Sequence, residues 1–195
     1  MNSEVGIDYF PIEVGVILNK LNRIPNPHLV TRTTGRDVRG AIEENLSQAK
    51  SPVLLHVDFS TIGVMDFSCA DEVVAKLLVR FIDPDRPQDA FFVLRGLLPS
   101  HLEPVAEVLD RQRILAVTES IAGSMDLLGN VSSEEARIWE FIENKSMVTH
   151  EEMTNVLIQK DDQIAFRRLL HQRVIFQGVE ENCYCSLGSI IRDLM

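Results

Sequence analysis

The spacing of apolar residues switches repeatedly between a strand-like and a helix-like period. Residues 28–32 read as a short strand. From Gly35 onward Val38, Ala41, Ile42, Leu46 and Ala49 recur at helical spacing, which puts them on one face. Lys50, Ser51 and Pro52 stop that helix. Residues 53–59 then form an almost continuous apolar run bounded by turn residues, the pattern of a strand covered on both faces. A loop over 60–65 precedes a helix opening at Ser68, with Val73, Val74, Leu77, Leu78 and Phe81 inward. Residues 83–87 are a turn by composition and 90–94 the next buried strand. A third helix starts between Ser100 and Pro104, and 114–117 is a last short strand. The apolar segment 9–21 reads as one further strand or a helix, the strand preferred. Alternation of this kind predicts α/β layering around a mixed or mostly parallel sheet.

At Gly129-Asn130 the character changes. Ser132 and Glu135 are spaced as a capping box before a helix bearing Ile138, Trp139, Phe141 and Ile142. Thr149 and Glu152 open a second, with Met153, Val156 and Leu157. Asp161 or Asp162 caps a third, carrying Ile164, Ala165, Leu169 and Leu170. Residues 174–176 and 183–187 pair across a turn. Three short helices followed by a β-hairpin is the element order of a winged helix-turn-helix. The expected organisation is an α/β domain over 1–128 and a small α+β winged-helix-like domain over 129–195.

Composition narrows the function classes. With 45% hydrophobic and 25% charged residues the chain has the make-up of a folded globular protein. The first residues carry acids where a signal peptide has bases, and no apolar run approaches a membrane span. Cys69, Cys183 and Cys185 make no even framework, and Cys-x-Cys matches neither zinc ligation nor a redox pair, so reduced thiols and a cytoplasmic location are expected. A net charge of −10 opposes long-range attraction to phosphate backbones. Neither a glycine-rich phosphate loop nor a nucleophile elbow occurs, and the five histidines fall on separate elements. His56, within a buried strand, is expected to be a core histidine with a backbone partner. No catalytic constellation, metal site or cofactor is expected.

The most distinctive stretch is Val57-Asp58-Phe59-Ser60-Thr61-Ile62-Gly63-Val64-Met65-Asp66-Phe67-Ser68-Cys69-Ala70-Asp71-Glu72. It resembles the central motif of the STAS family, the domain of anti-sigma factor antagonists and of anion-transporter tails. There a buried strand leads through a short loop to Met-Asp-Ser-Ser-Gly at a helix start. Met65, Asp66 and Ser68 match, whereas Phe67 replaces the first serine and Cys69 the glycine. The nearest resemblance is to a STAS-like branch of unknown function, on the strings Ser68-Cys69-Ala70-Asp71-Glu72 and Thr31-Arg32-Thr33-Thr34-Gly35. It covers residues 28–120. The resemblance implies a regulatory protein that docks a protein partner, a kinase or anti-sigma-type switch protein, with Ser68 as the candidate phosphorylation site and Asp66, Phe67, Ser68, Cys69 and Asp71 as the partner-binding face. The local reading of Ser68 is a helix cap, with Asp71 reciprocating.

The alternative function is a DNA-binding transcription regulator. Gln163, Arg167 and His171 share one face of the third C-terminal helix and could read a groove. From residue 130 on, seven Lys/Arg meet eleven acids, a balance of −4, and the hairpin tip carries Glu180 and Glu181 where a DNA-binding wing offers bases. Protein contact is therefore preferred to DNA. No membrane partner is expected.

Overall fold

The computed structural model describes residues 6–22, 26–50, 52–178 and 182–194. The chain starts along the sheet it will build. Strand β1 (Asp8–Glu13) passes directly into helix α1 (Val14–Leu21), so the apolar segment 9–21, open between strand and helix with the strand preferred, holds both. Strand β2 (His28–Leu29) stops two residues before α2 (Arg32–Leu46), which turns Val38, Ile42 and Leu46 inward. Strand β3 (Val53–Asp58) is followed by β4 (Val64–Met65). Next comes one continuous helical run: α3 (Phe67–Ala70), a π-helical segment (Asp71–Lys76) and α4 (Leu77–Ile82). Strand β5 (Ala90–Arg95), helix α5 (Pro99–Gln112), β6 (Leu115–Glu119) and β7 (Met125–Gly129) complete the first half.

These strands form a five-stranded sheet in the order β1-β3-β5-β6-β7. The first four run parallel and β7 returns antiparallel, pairing Glu119 with Met125 and Leu115 with Gly129. The fold is thus mixed α/β, as the alternation implied. Strand β7 was not foreseen, because a five-residue hairpin arm that includes Asp126 and Gly129 carries too little apolar pattern to stand out. Helix α5 opens earlier than expected: Pro99 takes its first turn, Leu98 sits at the cap, and Pro104 lies inside.

Past β7 the chain crosses to the other face of the sheet. It runs through α6 (Ser133–Lys145), β8 (Met147–Thr149), α7 (His150–Val156), α8 (Lys160–His171), β9 (Ile175–Gly178), β10 (Cys183–Ser186) and α9 (Leu187–Leu194). Both expected capping boxes form: Ser132 Oγ accepts from Glu135 N at 3.2 Å, and Thr149 Oγ1 accepts from Glu152 N at 3.2 Å. The third helix differs, with Gln159 at the cap. Asp162 accepts from the Gln159 backbone N–H at 3.1 Å and ion-pairs with Arg137. The hairpin β9–β10 gains β8 as a third strand, in the order β8-β10-β9. Its tip residues Glu180 and Glu181 lie outside the described residues.

Each face of the sheet has its own core. Val53, Leu55, Val57, Phe92 and Leu94 pack with α1, α2, α5 and the α3–π–α4 run. Leu54, Phe91, Val93, Leu115 and Val117 point the other way, against Ile138, Trp139, Ile142, Phe166, Leu169, Phe176 and Ile190 of the second half. Polar ties reinforce that seam. Gln172 Oε1 accepts from Leu115 N at 2.9 Å, Arg173 Nε donates to Ala90 O at 2.8 Å, and the Arg173 guanidinium lies 4.2 Å from the Phe91 ring centre.

A sheet face closed by residues beyond 129 couples the unfolding of the two halves. Calorimetry should show a single transition, and Gln172→Ala, which strands a buried N–H on β6, should lower stability by about 1–3 kcal/mol. Two separated transitions, only one of them shifted by that change, would show halves that fold apart.

Candidate functional site

Strands β2 and β4 pair in parallel, His28 with Val64 and Leu29 with Met65. This two-residue ladder lays the approach to α2 beside the approach to α3, so the two helix starts meet. Asp66 joins them. Its Oδ2 accepts from the Thr31 backbone N–H at 2.9 Å, and its Oδ1 accepts from Cys69 N at 2.7 Å and from the Ser68 hydroxyl at 2.8 Å. Burial raises the cost of ionising Asp66, but these donors outweigh it and hold the carboxyl below its usual range.

Asp66, and not Ser68, is therefore the cap of α3. The serine hydroxyl donates to the capping carboxylate instead of accepting from the backbone, because Asp66 already holds the free N–H of Cys69. Asp71 does not reciprocate. It faces Arg32 at 2.9 Å and Lys76 at 3.4 Å.

Thr31 is the strained partner. It has φ 76° and ψ 138°, a conformation that β-branched residues rarely adopt. Four contacts hold it: its N–H on Asp66, its Oγ1 accepting from Thr34 N at 3.4 Å, and its carbonyl accepting from Gly35 N at 3.1 Å and from the Cys69 thiol at 3.0 Å. Gly35 lets α2 come this close, since a Cβ there would lie 3.0 Å from both Cys69 Cα and Glu72 Cβ.

Beside this hub, α2 and the π segment share an ion cluster. Glu72, with a side chain 1% exposed, pairs with Arg32 at 3.1 Å, Arg39 at 3.3 Å and Lys76. Glu43 adds Arg39 at 3.1 Å and Arg80 at 3.6 Å. The wider π turn helps to bring Asp71 and Glu72 onto the arginine side of the helix while Val73 and Val74 stay in the core. Burial opposes the ionisation of Glu72; Lys76 and the two arginines prevail and lower its pKa.

Of the five residues expected to form a docking face, Asp66, Phe67 and Ser68 are partly exposed. Cys69 and Asp71 are buried, so neither can meet a partner directly. Burial pushes the Cys69 thiol up to about 12, with Asp66 adding to it, which leaves a neutral packing group. The Arg111 guanidinium covers the Phe67 ring at 4.6 Å. Val30, Val64 and Leu102 are exposed on the neighbouring elements. Thr31, Arg32, Arg39 and Glu72 had no role assigned from sequence. The spacing of Arg32, Arg36 and Arg39 on α2 was the available signal, together with the Gly35 that permits the approach.

His56 is buried as expected, but its partners are side chains. Tyr9 Oη lies 2.9 Å from Nδ1 and Glu119 Oε2 lies 2.7 Å from Nε2. Arg95 approaches Glu119 at 3.6 Å and Asp58 at 3.9 Å. His101 takes the backbone role instead: Nδ1 accepts from Leu98 N at 3.2 Å and Nε2 donates to Gly63 O at 3.3 Å. On α8, Gln163, Arg167 and His171 are all exposed, alongside Ile164. Among the described residues no group of three His, Cys, Asp or Glu is placed to hold a metal ion, and no helix is long and apolar enough to cross a membrane.

No protein-family model, no curated protein and no solved structure matches the chain.

Two consequences follow for stability. Glu72 has a lowered folded pKa, so its contribution is complete above the unfolded value of about 4.3 and is lost as pH falls through the folded one. Acid titration of stability should show that loss, and Glu72→Gln should remove much of it while costing about 1 kcal/mol at neutral pH, since Arg32 keeps Asp71 and Arg39 keeps Glu43. Gly35→Ala should cost about 1–3 kcal/mol from the forced separation of α2 and α3; an unchanged melting temperature would show that the contact is loose.

Proposed function

We propose that the chain is a non-enzymatic regulatory protein that works through protein–protein binding, with a docking face around Asp66, Phe67 and Ser68. The observation that carries this reading is the Asp66 carboxylate. It joins two helix starts, restrains a strained backbone and is held in turn by the partly exposed Ser68 hydroxyl. A change at Ser68 is therefore felt on both sides of the face.

Phosphorylation of Ser68, which the STAS resemblance implies, would replace an O–H donor with a dianion against Asp66. Repulsion would loosen the carboxylate from Thr31 and Cys69, and the backbone of Thr31 would relax toward an ordinary conformation. A kinase or anti-sigma-type switch protein reading this face would meet two different surfaces. The order of helices and strands after residue 129, with a three-stranded β8-β10-β9 ladder, supports the winged-helix reading of the second half.

The DNA-binding alternative draws on the exposure of Gln163, Arg167 and His171. Ile158, just before α8, and Ile164, on it, stand 81% and 54% exposed, a composition that favours a protein contact.

Ser68→Ala removes one hydrogen bond and should cost about 1 kcal/mol. Ser68→Asp places a second carboxylate beside Asp66 and should be less stable than Ser68→Ala by about 1 kcal/mol. Partners captured from the native host by the wild-type chain should be retained by Ser68→Ala and change in affinity by about tenfold or more with Ser68→Asp. Equal affinity for all three, measured well below their melting temperatures, would reduce Ser68 to a structural hydroxyl. Nanomolar binding to a defined duplex, lost in Arg167→Ala, would replace this reading with the DNA-binding one.

A further inference from the structure

Strand β7 is the last of the five-stranded sheet and has β6 on one side and, among the described residues, no strand on the other. Its outer N–H and C=O groups form an open edge. Helix α6 packs over the same end of the sheet, and between the two lies a cleft of about 410 Å³. Met125, Leu127, Val131, Ala136 and Trp139 give it an apolar floor. Its rim is acidic, from Asp126, Glu140 and Glu143.

The rim charges are poorly compensated. Among the described residues Asp126 and Glu140 have no ion-pair partner. Glu143 gives Oε1 to Arg192 at 2.9 Å, while its Oε2 is buried without a hydrogen-bond partner. That oxygen is shut in against the bare Cα of Gly188, where a Cβ would stand 2.9 Å from it, so the charge the cleft offers a ligand is that of Asp126 and Glu140.

We infer that this cleft receives an extended, cationic segment of a partner protein, added to the sheet as a sixth strand beside β7. Main-chain hydrogen bonds to the open edge supply affinity without sequence preference, and the cleft selects the side chains. Side chains of the added strand alternate between the two faces of the sheet: apolar ones point toward α6 and fill the space over Trp139 and Leu127, and the Lys or Arg between them lie on the face to which Asp126, between Met125 and Leu127, also turns. The site lies on the sheet face opposite the Ser68 hub, so it rests on the binding-protein reading in general but uses none of the residues around Asp66.

Trp139, the only tryptophan of the chain, lines the cleft and reports on it directly. The probe is acetyl-(Arg-Val)4-amide, titrated into the full chain and followed by Trp139 fluorescence and by calorimetry. Saturable binding is expected below about 1 mM, with no binding of the (Glu-Val)4 analogue. N-methylation of alternate peptide nitrogens, which removes the edge hydrogen bonds and keeps every charge, should weaken binding about tenfold or more. Asp126→Lys with Glu140→Lys should do the same with an unchanged melting temperature, whereas Glu44→Lys with Glu103→Lys, an equal change of net charge elsewhere, should have little effect. No saturation by the parent peptide overturns the proposal. So does an N-methylated peptide that binds as tightly as the parent, or equal weakening by both lysine pairs, which would mean general attraction to an acidic protein. Each of these outcomes leaves the affinities measured with Ser68→Asp standing on their own.

Discussion

A strand whose residues are apolar on both faces has to be covered twice, and this constraint organises the molecule. Leu55 and Val57 look into a core built from α1, α2, α5 and the helical run after Asp66. Leu54, Phe91, Val93 and Val117 look into one built with α6, α8 and α9. Neither core closes without the sheet between them. The change of pattern at Gly129-Asn130 marks the point where the chain has finished the strands and moves round to cover their uncovered side.

The same constraint leaves the ends of the helices as the place where polar chemistry gathers. Packed on the same face of the sheet, α2 and α3 meet at their starts, where a two-residue β ladder lays their approaches side by side. One carboxylate then does the work of several caps. The cluster around Glu72 is its counterpart one turn deeper, where three cations converge on an acid that is almost fully buried. Such an arrangement stabilises the fold chiefly by being complete, since removing one member leaves its neighbours charged and short of partners.

Much of this was legible before any coordinates. The runs at 53–59 and 90–94 announced buried strands because nothing polar interrupts them. Ser132-x-x-Glu135 and Thr149-x-x-Glu152 announced helix starts because both members of a reciprocal cap are present. Two of the misreadings share a cause: the deciding contact came from far along the chain. Ser68 has the chemistry of a cap, but Asp66 reached Cys69 N while also answering Thr31, which is distant in sequence and adjacent in space. The same holds for His56, whose partners Tyr9 and Glu119 sit on β1 and β6. The Thr31-Arg32-x-x-Gly35 string was visible, but its meaning as a close approach of two helices appears only with the fold.

The anchoring of α8 bears on what its outer face can do. Arg168, Gln172 and Arg173, at and just after its last turn, are bonded to Glu135, to the β6 backbone and to the β5 backbone. A helix held at one end by three such bonds cannot roll about its own axis without breaking them. The azimuth of Gln163, Arg167 and His171 is therefore set by strands some fifty to eighty residues earlier. Whatever surface meets α8 is presented with a single aspect of the helix, chosen by the sheet rather than by the loops that flank it.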